Sequence, residues 1–314
     1  MENFFDSRRM LEVIWKWKIH FGIIAVLAFA LAALFSSPMF IRPKYKSEAR
    51  LYPINVESYS NESESEQMLE IVGSMDIKRH MFDAFKLGNY YGIKKDDPYY
   101  RTKLIRKYNK NVSIKKTEYE TVEIAVMDWE PQRASNMIDS IICYYNEKLR
   151  KIHGKKYKEL ATAAHNDLKK RENEIKDVTV AIEKITKEYG ILDFEMQVKE
   201  LSKGYAEALA AGKTQAANKI QSMLDRMSLK GGEFEVLSTK LENLQVQSDT
   251  LKVRYDKALS RSQQRISYAQ VVESPFPADK KSYPVRWLIA LLAVAGAEIL
   301  ALLVILLLEN GKKQ

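Results

Sequence analysis

The chain has 314 residues, enough for one or two domains. Its formal charge is +9, but Lys and Arg are interleaved with Glu through the middle of the chain, the pattern of solvated helix faces, so no nucleic-acid partner is expected. The single cysteine, Cys143, excludes an intrachain disulfide and any cysteine-rich metal site; it lies in an apolar helical stretch and is expected to be a buried structural thiol.

Residues 1–18 are short and mixed. Trp15 and Trp17 stand beside Lys16 and Lys18, as interfacial anchors do. The apolar run 19–41 then exceeds the roughly 20 residues that cross a bilayer. A signal peptide would have a shorter apolar core, of about 7–15 residues, and a small-residue cleavage site. Phe35-Ser-Ser-Pro does not fit one, so an uncleaved helix is expected. Basic residues flank the run on both sides, and the default orientation puts both termini in the cytoplasm.

Tyr45 to Val56 alternates loosely and reads as a strand. The acidic stretch 57–66 reads as a solvated loop rather than a cation site. Ser65 is expected to cap one helix carrying Met68, Leu69, Val72, Met75, Ile77, Met81, Phe82 and Phe85. A short helix over 101–108 precedes a hairpin of 112–116 and 120–127, where Val122, Ile124 and Val126 alternate cleanly. Asp128 ends the second strand, and Pro131 sits in the first turn of a helix, where its missing N–H costs little.

No proline follows Pro131 until Pro275, which predicts mostly helix. Ile175, Val178, Ile182, Ile185 and Tyr189 mark one narrow apolar stripe. Phe234, Leu237, Leu241, Leu244, Leu251, Tyr255 and Leu259 mark another. Such stripes suit a coiled coil. The Gly190 region and Gly231-Gly232 are expected breaks, with a helix over 194–229 between them. An elongated antiparallel hairpin projecting from the membrane follows, and 266–273 returns as a strand to close an α+β base. A proline-rich collar, 273–286, carries Pro275, Pro277, Ser282 and Pro284 into a second apolar run, Trp287 to Leu308.

No catalytic constellation emerges. The four histidines are scattered and none pair at ligand spacing. Gly212-Lys213-Thr214 imitates a phosphate-binding loop, but Glu207 stands where that loop needs glycine, and the stretch reads as helical. The basic cluster from Lys148 to Lys158 reads as a solvated helix face. No cofactor and no metal are expected, and the chain is not expected to be an enzyme. Glu298 is different, because a carboxylate near the middle of a membrane span usually faces another helix. Gly296 beside it would permit close helix contact.

This layout resembles the Wzz-type chain-length determinants, or polysaccharide co-polymerases. Tyr45-Lys-Ser-Glu-Ala-Arg-Leu-Tyr-Pro resembles their first strand after the first span. Val122-Glu-Ile-Ala-Val-Met-Asp-Trp-Glu-Pro-Gln-Arg-Ala resembles their strand-to-helix motif, matched here by Asp128, Pro131 and Ala134. Pro277-x-x-x-x-Ser282-x-Pro284 resembles their collar, with an extra Tyr283 and with Val285 where a basic residue is usual.

The resemblance implies two membrane helices (19–41 and 287–308) around a periplasmic domain (42–272). That domain would have a base of 42–130 and 266–273 and a helical extension over 131–265. Short cytoplasmic ends, 1–18 and 309–314, complete the expected arrangement. The implied protein is a non-enzymatic, ring-forming inner-membrane regulator of glycan chain length. It would work with a polysaccharide polymerase on lipid-linked glycan, with no fused kinase and with a separate tyrosine kinase as a candidate partner. Two rival readings stand beside it: a two-span periplasmic sensor and a coiled-coil scaffold of an export complex.

Overall fold

The computed structural model describes residues 7–57 and 61–311. Two compact units make up the chain, Met1–Lys148 with Ser267–Gln314, and Leu149–Ile266.

The first unit opens with helices α1 (Ser7–Lys16) and α2 (Lys18–Phe35), then β1 (Tyr45–Pro53). Helices α3 (Glu64–Gly73), α4 (Met75–Ala84), α5 (Leu87–Tyr90) and α6 (Tyr100–Asn111) follow. Next come β2 (Val112–Lys116), β3 (Val122–Asp128) and the start of α7 (Pro131–Tyr189). In the second unit α7 continues and is followed by α8 (Phe194–Ala210), α9 (Thr214–Ser228) and α10 (Gly231–Gln263). The chain returns to the first unit with β4 (Ala269–Glu273) and α11 (Arg286–Gly311). The fold is α+β.

The sheet is antiparallel throughout, in the order β2-β3-β1-β4. Its register follows from the two-residue repeat of strand side chains. Ser47, Ala49 and Leu51 pair with Val126, Ile124 and Val122, and all six are buried. The intervening Glu48, Arg50 and Glu123 take the other face, where Arg50 lies between Glu123 and Glu273. Ala134, Met137, Ile138, Ile141 and Tyr145 on α7 are buried at helical spacing. Cys143 falls between those rows and is exposed, which corrects the expected buried thiol.

Two other local expectations are corrected. The helical stretch after residue 62 is two helices, because Ser74 is extended, with ψ 156°. Its N-cap is Ser63: the Ser63 hydroxyl accepts from the Glu66 N–H while the Glu66 carboxylate accepts from the Ser63 N–H, a complete capping box. Ser65 is buried instead and donates its hydroxyl to the Glu120 carbonyl. Part of the acidic stretch, residues 58–60, lies outside the described residues.

Helices α2 and α11 are long and apolar enough to cross a membrane. They pack on each other. Ala32 and Ala290 are buried, and Ala25, Ala28, Ala293, Ala297 and Ala301 are half-buried. Small side chains let helix backbones approach closely. Helix α2 stops at Phe35, short of the end of the apolar run, because Ser36, Ser37 and Pro38 turn the chain. Helix α1 was not evident from sequence. Its Val13 is buried against Ile305 and Leu306 of α11, with Trp17 and Phe21 packed alongside.

In the second unit α7 and α10 run antiparallel. Arg261 donates to the Tyr157 hydroxyl, His165 meets Tyr255, and Ile185 shares a core with Met227, Phe234 and Ile191. Gly190, at φ +74°, breaks the chain after α7 as expected. A further break, not expected, is the turn at Gly212 (φ +67°), which separates α8 from α9 where one helix was foreseen. The break expected at Gly231-Gly232 falls just ahead of them, at Leu229 and Lys230, and the two glycines open α10.

Candidate functional site at the junction of collar and sheet

The residues ahead of β1 and the collar ahead of α11 are hydrogen-bonded together. The Lys44 N–H donates to the Tyr283 carbonyl at 2.9 Å, and the Lys44 carbonyl accepts from the Ser282 N–H at 2.8 Å. The Ser47 hydroxyl donates to the Phe276 carbonyl at 2.9 Å, and the Ser135 hydroxyl donates to the Pro275 carbonyl at 3.3 Å. Prolines bring no N–H to Pro275, Pro277 and Pro284, so the collar is held through its carbonyls and through the N–H groups of Ser282 and Tyr283. The collar residues differ in placement: Pro284 is buried, Pro275 half-buried, and Pro277 and the Ser282 side chain exposed.

The strand-to-helix motif meets the same junction. Asp128 ends β3 opposite Tyr45 and is buried. Its carboxylate accepts from the Tyr90 hydroxyl at 2.5 Å and from the Glu130 N–H at 3.1 Å, with the Arg133 guanidinium 3.8 Å away. Arg133 lies 3.8 Å from the centre of the Tyr90 ring and donates to the Phe85 carbonyl. Pro131 opens α7, and Ala134, fully buried, precedes the Ser135 that holds Pro275. Desolvation, then the bond to Asp128, raises the Tyr90 phenol above its ordinary range.

Beside this core, Asn111 is buried between two partners. It accepts from the Lys44 ammonium at 2.5 Å and donates to the Tyr91 hydroxyl at 3.2 Å. Trp129 packs on both Tyr90 and Tyr91. Sequence reasoning missed Lys44, Tyr90, Tyr91, Asn111 and Arg133 as members of the site. The only local signals were the Tyr90-Tyr91 doublet and Trp129 next to the motif aspartate.

The structure thus brings Asp128, Pro131, Ala134, Pro275, Ser282 and Pro284 into one region. It does not bring Gly296 or Glu298 there. Gly296 faces outward on α11 with open space around it. Glu298 shares the inward side with Val294, Ala301 and Leu302, and its Oε1 is buried without a hydrogen-bond partner among the described residues. Among the described residues no group of three or more metal-ligating side chains is clustered.

Residues 3–84 match the family model of the chain length determinant protein, Wzz. The matched segment takes in α1 to α4, and with them Lys44 and Ser47, whereas Asp128 and the collar lie beyond it.

Several solved structures are similar to the chain at low identity. A full-length bacterial polysaccharide co-polymerase covers 96% of this chain and 97% of its own, at 12% identity and a TM-score of 0.42. The Shigella flexneri lipopolysaccharide O-antigen chain-length regulator WzzBSF covers 76% and 100%, at 12% identity and a TM-score of 0.33. A fragment of WzzB, polysaccharide co-polymerase from Salmonella Typhimurium, covers 77% and 100%, at 12% identity and a TM-score of 0.28. No curated protein matches the chain significantly.

Proposed function

We propose that this protein sets the chain length of a lipid-linked polysaccharide as a non-enzymatic, oligomeric co-polymerase of the bacterial inner membrane. The observation that carries this reading is the match of residues 3–84 to the Wzz family model, a segment that includes an apolar helix and the first strand of the base. In this arrangement α2 and α11 anchor the chain, both termini are cytoplasmic, and the rest lies in the periplasm.

Length control then needs no bond chemistry from the chain. Copies arranged in a ring hold the polymerase or the growing glycan against a fixed surface. Dissociation competes with extension, and the mean length follows from the ratio of the two rates. The collar is the element that transmits the state of the base to the membrane spans, because its backbone is bonded to β1 and α7 and runs directly into α11.

The test is deletion of the gene in its host, with electrophoresis of the lipid-linked glycan. Loss of a modal band, restored by the intact chain, is the expected result. Pro277→Ala with Pro284→Ala is expected to move the modal length while leaving protein levels unchanged. A distribution unaltered by deletion overturns the reading.

A further inference from the structure

Four cations converge on the membrane side of the base. The Arg42 guanidinium lies 5.5 Å from the centre of the Trp129 ring. Trp129 meets Tyr91 edge to face, with ring centres 6.2 Å apart. The Lys107 ammonium lies 5.9 Å from the centre of the same Tyr91 ring. The Tyr91 hydroxyl accepts from Asn111, which in turn accepts from Lys44. Lys110 follows Lys107 at i+3 on α6, so it shares that helix face.

These contacts fix the stems and rings but leave the charge unneutralised. Among the described residues none of Arg42, Lys44, Lys107 and Lys110 forms an ion pair. The nearby carboxylate, Asp128, is already committed to Tyr90, the Glu130 N–H and Arg133. Lys44 is held below its ordinary range by burial first, and then by repulsion from Lys107 and Lys110. A cluster of like charges around a buried asparagine is costly unless an anion enters it.

Its position says which anion. Arg42 and Lys44 follow the end of α2, and the collar bonded to Lys44 leads into α11. Met39, Phe40 and Trp287, at the same ends of the two apolar helices, are exposed. Exposed apolar and aromatic side chains beneath a layer of Arg and Lys are the arrangement of a lipid headgroup boundary.

We propose that Arg42, Lys44, Lys107 and Lys110, set around Tyr91 and Trp129, bind the phosphate headgroup of an anionic lipid where the two spans join the base. This rests on the reading of α2 and α11 as membrane spans. The ammonium groups supply charge, the Arg42 guanidinium supplies a planar donor fork, and the aromatic rings seat the cations.

The experiment uses the full chain purified in neutral detergent, titrated with phosphatidylglycerol or phosphatidylcholine and read by native mass spectrometry. Phosphatidylglycerol is expected to bind at least about tenfold more tightly than phosphatidylcholine. Lys44→Gln with Lys107→Gln is expected to remove that preference, whereas Lys155→Gln with Lys156→Gln, the same charge change on α7, keeps it. Should the first pair fail to fold by circular dichroism, the exposed pair Arg42→Gln with Lys110→Gln must reduce the preference. Equal binding of the two lipids, or equal loss in the α7 control, overturns the proposal. Displacement of the lipid by millimolar inorganic diphosphate also overturns it, since the site would then serve soluble phosphate. Alkaline carbonate extraction of cell membranes separates the two readings. Release of the chain sinks the membrane reading and this proposal together; retention with equal lipid binding sinks this proposal alone.

Discussion

The Tyr90 hydroxyl donates to the buried carboxylate of Asp128, joining α5 to the point where β3 hands the chain to α7. A hydrogen bond to a charged group contributes about 1.5–3 kcal/mol. Tyr90→Phe is therefore expected to destabilise the first unit by about 2 kcal/mol, read by denaturant unfolding of the detergent-solubilised chain. Asp128→Ala is expected to cost more, about 3 kcal/mol or above, because Arg133 and the Glu130 N–H lose their acceptor as well. Equal stability of Tyr90→Phe and the parent would remove this bond from the account.

The same pair carries a pH dependence. Burial first, and then Asp128, lifts the Tyr90 phenol above its ordinary range near 10. The folded state holds this proton more tightly than the unfolded chain does. The stability it supports is fully present below about pH 10 and is lost as pH rises through the folded value. The parent should thus lose stability more steeply than Tyr90→Phe in that alkaline window. Parallel curves would contradict the assignment.

Ser47 and Ser135 tie the collar to the base through the Phe276 and Pro275 carbonyls. Each bond contributes about 1 kcal/mol. Ser47→Ala with Ser135→Ala is expected to free residues 274–282, seen as faster proteolysis there while the sheet keeps its unfolding midpoint to within about 2 kcal/mol. An unchanged cleavage rate would mean that the Lys44 backbone bonds alone hold the collar.

Much of this architecture was legible because it is local. Val122, Ile124 and Val126 alternate, Pro131 marks a helix start, and the two apolar runs are unmistakable by length. Sequence reasoning failed where two local signals competed. Ser63 and Ser65 both stand ahead of the apolar Met68 and Leu69, but only Ser63 has Glu three residues later to complete the box. Cys143 sits among apolar neighbours, yet the helical repeat turns it away from the row of Ile141 and Tyr145. The site itself was legible only as three separate motifs. Lys44 meets Asn111 across 67 positions and Tyr90 meets Asp128 across 38, and no spacing rule predicts contacts at such separations.

Glu298 offers a stability test of a carboxylate set in the apolar helix α11. Its Oε1 is buried with no hydrogen-bond partner among the described residues, while α2 and α11 meet through alanines around it. Replacing an unpartnered buried polar group by an apolar one of similar size removes a desolvation cost of about 1–3 kcal/mol. Glu298→Leu is expected to raise the melting temperature of the isolated chain in detergent. If the more stable variant also shifts the modal glycan length, the carboxylate serves a contact outside this chain. A lower melting temperature would show that Glu298 supports the α2–α11 pair itself.

Gly231 opens α10 directly against the ring of Phe194, the first residue of α8. A Cβ at residue 231 would overlap that ring. Phe194 packs on the cluster of Ile185, Ile191, Met227 and Phe234, so its ring moves only by disturbing that core. Overpacking of this kind costs about 1–3 kcal/mol. Gly231→Ala is expected to lower the stability of the second unit by that amount, monitored by hydrogen exchange along α8 and α10. Gly232→Ala, where the added methyl meets open space, serves as the control and should be neutral or slightly stabilising, because alanine favours helix over glycine. Equal effects of the two substitutions would show that helix propensity, and not the Phe194 contact, governs this position.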